Sequence, residues 1–161
     1  MSQPINKLKL LEILSRVSLF KSLTSGERSA VLDSGVKFQS IAPDNNFIVE
    51  GSQGPSFFII LSGEATVKQG GHNVAVLKSG QFIGEMGFIC NEPRTATVVA
   101  LTDMLVLKID RNSFRQLPIK IREEIKDKVI LGLVARVSRQ NKQIIALKQD
   151  QLLDDDDKVV L

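Results

Sequence analysis

The chain has 161 residues, 43% of them apolar and 24% charged, with a formal net charge of +3. That length suits one globular domain with room for long terminal helices. The charge is too modest to imply nucleic-acid binding, no window approaches the ~18 continuous apolar residues of a membrane span, and no secretory leader pattern opens the chain.

Ile5, Leu8, Leu11, Leu14 and Val17 recur every three residues, which predicts one helix over 5–20. Thr24-Ser25-Gly26-Glu27 has the spacing of a capping box, so a second helix starts there and stops near Gly35. From Val36 to Ile109 short runs of Val, Ile, Phe and Thr alternate with Gly, Asn and Pro clusters. The expected strands are 36–42, 47–50, 56–61, 65–69, 74–77, 81–83, 95–100 and 104–109. Gly70-Gly71-His72-Asn73 reads as a turn. Eight short strands with no helices between them predict a mainly β fold, an eight-stranded antiparallel β-roll or jelly roll that closes on itself.

Helix returns at Asp110, a cap for a short segment through Phe114 and Leu117. Pro118 interrupts it and suits the first turn of the next helix, expected over 119–148. Ile130, Leu133, Val137, Ile144 and Leu147 keep a 3-4 apolar spacing there, broken at Gln140. Helices over 5–35, the roll over 36–109 and C-terminal helices over 110–149 are thus expected to form one domain, 1–149. Residues 150–161, with Asp154-Asp155-Asp156-Asp157-Lys158, are expected to be an acidic, disordered tail.

One stretch interrupts the β grammar: Phe82-Ile83-Gly84-Glu85-Met86-Gly87, followed by Pro93-Arg94-Thr95-Ala96-Thr97-Val98. Gly84 lets the backbone approach a ligand, and the N–H groups opening a short helix near Met86 and Gly87 face an anion. Arg94 carries a planar fork of donors suited to phosphate oxygens, and Glu85 is an acceptor suited to a sugar hydroxyl. A phosphate, a hydroxyl donor and an apolar wall together describe a cyclic nucleotide. The same Glu and Arg also fit a surface ion pair worth about 0–1 kcal/mol.

This stretch resembles the phosphate-binding cassette of the cyclic-nucleotide-binding domain family, which includes catabolite activator protein, cAMP-dependent kinase regulatory subunits and cyclic-nucleotide-gated channels. Leu19-Phe20-Lys21-Ser22-Leu23-Thr24, Glu50-Gly51 and Phe57-Phe58-Ile59-Ile60-Leu61-Ser62-Gly63-Glu64 resemble other parts of the same domain. The resemblance implies that Glu85 binds the ribose 2′-hydroxyl and Arg94 the cyclic phosphate. Backbone N–H groups of Met86, Gly87 and Ala96 would assist, Gly84 would shape the turn, and the Thr95 hydroxyl would reach the purine edge. The ligand implied is cAMP or cGMP. The chain departs from the family where Gln53-Gly54-Pro55 lacks an acidic residue, and it has no Trp or Tyr to cap the base. Arg136, Ser138 and Arg139 of the long helix are the polar lid contacts to examine, although a solvent-facing role suits each better.

The expected function is a stand-alone, non-enzymatic regulatory module in the cytoplasm, in which movement of the cassette is coupled to the C-terminal helix. Met86 and Phe88 would repack against Phe114 and Leu117. The alternative is a β-roll scaffold that no longer responds to nucleotide. Expected partners are an unidentified effector protein and a second copy through the C-terminal helix, with no nucleic acid and no membrane. A metal site is not expected from a lone His72, nor nucleophilic catalysis from Cys90 without a base.

Overall fold

The computed structural model describes residues 5–158. Asn6 accepts a hydrogen bond from the Leu8 N–H and opens α1, Lys7–Arg16. The single helix expected over 5–20 is instead broken. Val17 is extended, at φ −83 and ψ 127, and a short α2, Ser18–Lys21, follows. The break buries Leu14, Val17, Leu19 and Phe20 together, which one straight helix would not do, and β-branched Val17 tolerates the extended state. Ile5 and Leu8, counted on the apolar face, are exposed. Thr24 and Glu27 form the expected reciprocal cap at the head of α3, Ser25–Asp33.

Eight antiparallel strands follow: β1 Lys37–Ile41, β2 Asn46–Ile48, β3 Phe57–Ser62, β4 Ala65–Gln69, β5 His72–Leu77, β6 Phe82–Ile83, β7 Thr97–Ala100 and β8 Met104–Ile109. They form two four-stranded sheets, ordered β1-β8-β3-β6 and β2-β7-β4-β5. The β-roll expected from the sequence is therefore present. His72 is not a turn residue. It opens β5 opposite Gln69, and the turn is confined to Gly70 and Gly71, at φ 56 and 79. Two consecutive positive φ values match the twist of a two-residue hairpin, which glycine allows.

The roll's interior gathers Phe58, Ile60, Ile83, Met104 and Val106 of one sheet against Ile48, Ala65, Val98 and Ala100 of the other. Their alternating neighbours Phe57, Ile59, Leu107 and Ile109 are equally buried but point to the sheet's other face. Burial on both faces explains why β3 reads as an unbroken apolar run.

Asp110 caps α5, Arg111–Gln116, by accepting from the Ser113 N–H at 2.8 Å. Pro118 separates it from α6, Ile119–Lys158. The first turn of α6 is tied to the α2–α3 junction, where Lys120 Nζ donates to the Ser22 carbonyl at 3.2 Å. The chain divides into two compact units, residues 1–124 and 125–161. The second unit is the remainder of α6. The tail expected to be disordered is helical through Lys158, and residues 159–161 lie outside the described residues. No proline follows Pro118 and no glycine follows Gly132, so nothing in the sequence stops the helix earlier.

Candidate functional site

The segment that breaks the β pattern lies where the chain crosses between the sheets. It leaves the first sheet at β6, forms α4, Glu85–Cys90, and enters the second sheet at β7. Gly84 is left-handed at φ 83 and ends the strand by turning the chain sharply into α4. Asn91, at φ 54, ends α4 in the same conformation, which an Asn tolerates.

Arg94 is the hub. Only 8% of its surface is exposed. Its backbone is pinned to the β2–β3 loop from both sides: its N–H donates to the Ser52 carbonyl and its carbonyl accepts from Gly51, each at 2.8 Å. Its side chain joins that loop to the cassette. Nη1 donates to the Gly84 carbonyl at 2.9 Å and Nη2 to the Ser56 carbonyl at 2.5 Å. These bonds use two of a guanidinium's five N–H donors, and neither acceptor carries a charge. Burial pushes the guanidinium below its ordinary range, and the nearby Glu85 carboxylate acts in the opposite direction. A buried cation whose side-chain hydrogen bonds go to neutral carbonyls favours a nearby anion, and the Glu85 carboxylate supplies part of that charge.

The predicted residues Gly84, Glu85, Met86, Gly87, Arg94, Thr95 and Ala96 all fall on this one crossing, and all lie in the first unit. Gly87 is buried, Glu85, Met86 and Ala96 are half-buried, and Thr95 is exposed. The first-turn N–H groups of α4 have no acceptor within the helix. Arg136, Ser138 and Arg139 lie on α6 in the second unit, away in sequence from every residue of the crossing. Among the described residues, no cluster of His, Cys, Asp or Glu has the arrangement of a metal site, and no helix is long and apolar enough to cross a membrane.

Residues 38–119 match the family model of the cyclic nucleotide-binding domain. The chain belongs to that family. It is 38% identical over 104 residues to a cAMP-dependent protein kinase regulatory subunit of Hypocrea atroviridis, covering 65% of this chain and 22% of that one. A regulatory subunit of Neurospora crassa is 30% identical over 141 residues, covering 86% of this chain and 33% of its own. The chain thus spans about a fifth to a third of the length of these relatives. Among solved structures, cAMP-bound PfPKA-R superposes with a TM-score of 0.63 at 30% identity, covering 76% of this chain and 43% of that one. The catabolite activator protein of Thermus thermophilus superposes at 0.68 with 21% identity, over 81% of this chain and 62% of its own, and shares the fold.

Within this cyclic nucleotide-binding domain, an aromatic cluster links the cassette to the helix after the roll. The Phe88 ring on α4 meets Phe57 at 4.8 Å and Phe114 on α5 at 5.4 Å, both edge-to-face. Arg111 Nη2 donates to the Phe88 carbonyl at 3.1 Å. Phe88 already touches Phe114 in this structure, whereas the sequence reading has Met86 and Phe88 repacking against Phe114 and Leu117 on ligand binding. The Arg111 tie was not foreseen. Nor was the part played by Ser56, which acts through its carbonyl. A main-chain acceptor leaves no signature in residue type, and Ser56 stands in the sequence as the first residue of an expected strand.

Proposed function

We propose that this domain binds a cyclic nucleotide at the β6–β7 crossing and is regulatory rather than catalytic. Arg94 carries the reading: it is a buried guanidinium whose hydrogen bonds run to carbonyl oxygens, with donors left over for a phosphate. In this reading the Met86, Gly87 and Ala96 N–H groups complete the phosphate cradle. Glu85 takes the ribose hydroxyl, and Thr95, exposed beside Arg94, reaches the purine. The kinase-subunit relatives favour cAMP, with cGMP as the second nucleotide to test. The Phe88–Phe114 contact and the Arg111 tie provide the route by which cassette movement reaches α5 and the helix after Pro118. Arg136, Ser138 and Arg139 are the α6 residues whose substitution tests the sequence expectation of polar lid contacts.

The relatives' names make a protein kinase the effector to try first, in a cytoplasmic setting that suits the free thiol of Cys90. Exposed Ile130, Val137, Ile144 and Leu147 on α6 support a second copy of the chain as a further partner. Light scattering reads that directly, and a monomeric mass at working concentration removes it.

Titration calorimetry with cAMP and with cGMP tests the binding. Wild type is expected to bind at least one of them. Arg94→Lys keeps the charge but loses the fork, and is expected to weaken binding by about 10- to 100-fold, since a hydrogen bond to a charged group is worth about 1.5–3 kcal/mol. No heat from wild type with either nucleotide would favour the scaffold reading.

A further inference from the structure

Gly54 lies in the β2–β3 loop, half-buried and facing the Arg94 side chain. A methyl group at this position would stand 2.9 Å from Nη2, 3.3 Å from Nε and 3.4 Å from Cζ of Arg94. Gly54 is not among the glycines with positive φ, so its backbone does not itself require glycine. What excludes a side chain there is the guanidinium. The two other glycines around Arg94 differ. Gly84 is left-handed at φ 83, and a methyl at Gly87 would press on the Gly54 carbonyl at 2.9 Å. Substitution at either of those strains the main chain as well.

We infer that Gly54 is a positioning residue for phosphate recognition: its missing side chain sets where the Arg94 fork lies. This rests on the reading that Arg94 receives the cyclic phosphate. The loop holds Arg94 by three main-chain contacts, through Gly51, Ser52 and Ser56, and Gly54 forms the wall between them. A methyl on that wall pushes side-chain atoms rather than main chain, so the fold survives at the cost of one weakened hydrogen bond. It displaces Nη2 from the Ser56 carbonyl and tilts the plane of the fork. Paired recognition of phosphate oxygens depends on that plane, so ligand binding suffers more than stability does.

The test compares wild type, Gly54→Ala and, as a control, Gly26→Ala, where the nearest atom to a new methyl is 3.9 Å away. Calorimetry with cAMP and cGMP reads binding, and thermal unfolding reads the fold. NMR of the Arg94 Nε–H, identified by its disappearance in Arg94→Lys, reads the guanidinium itself. Gly54→Ala is expected to unfold cooperatively with a modestly lowered melting temperature, shift the Nε–H signal and weaken nucleotide binding roughly tenfold or more, while Gly26→Ala leaves the signal and the affinity at their wild-type values. Wild-type affinity in Gly54→Ala, or an unmoved Nε–H signal, overturns the inference. A wild-type chain that binds neither nucleotide sinks the functional reading instead, a result distinct from the other two.

Discussion

The two sheets of the roll are built from similar residues yet live in different surroundings. In the first, β3 and β8 are buried on both faces: Phe58, Ile60, Met104 and Val106 point into the roll, while Phe57, Ile59, Leu107 and Ile109 lie buried on the outer face, where Phe88 and Phe114 cover Phe57. In the second, β5 has no comparable cover, and Val74 and Val76 stand about half exposed. Apolar content alone does not separate them. What separates them is whether a second layer lies over the strand. The proposed site takes one end from each sheet, with Gly84 following β6 of the covered sheet and Arg94 preceding β7 of the open one.

Substitutions sharpen this contrast. Leu107→Ala, in the covered sheet, is expected to cost about 2–5 kcal/mol in urea unfolding, because it removes buried methyl groups and leaves a cavity. Asp110→Ala, at the cap that starts α5, is expected to cost about 1 kcal/mol, within the range of lost helix caps. The Asp110 carboxyl is held below its ordinary range, first by the Ser113 N–H and then by the Ser113 hydroxyl and the Asn112 N–H. Its contribution is therefore complete above the unfolded carboxylate value of about 4 and is lost as pH falls through the lower folded value. The gap between wild type and Asp110→Ala should narrow as unfolding is repeated at successively lower pH. Val76→Thr, in the open sheet, is expected to stay within about 0.5 kcal/mol. Equal costs for Leu107→Ala and Val76→Thr would erase the distinction between the sheets.

Much of this fold is legible in the residue order because its signals are local. Alternation, glycine turns and the Thr24–Glu27 and Asp110 caps act within a few residues, and the eight strands, α3 and α5 appear close to their expected places. Errors arose where distant packing outweighed local preference. Val17 breaks a helix so that Leu14 and Phe20 are both buried. His72 is a different case, since its pairing with Gln69 across the two-residue Gly70-Gly71 turn is itself local, and composition marked four turn residues where two suffice. The residues proposed for the site, from Gly84 to Ala96, stand out in the sequence because they lie close together and are chemically distinctive. Gly54 and Ser56 were not read as part of the site, since one contributes an absent side chain and the other a carbonyl.

By itself, the order of residues determined the strand-rich middle, the flanking helices and the identity of the acid and the base at the crossing, because propensity, capping and motif are properties of neighbours. Only the tertiary structure decided what surrounds Arg94. Its side chain reaches 38 residues back along the chain to the Ser56 carbonyl and 10 back to the Gly84 carbonyl. Every residue carries a carbonyl, so no sequence pattern says which of them a closed roll will bring to one guanidinium.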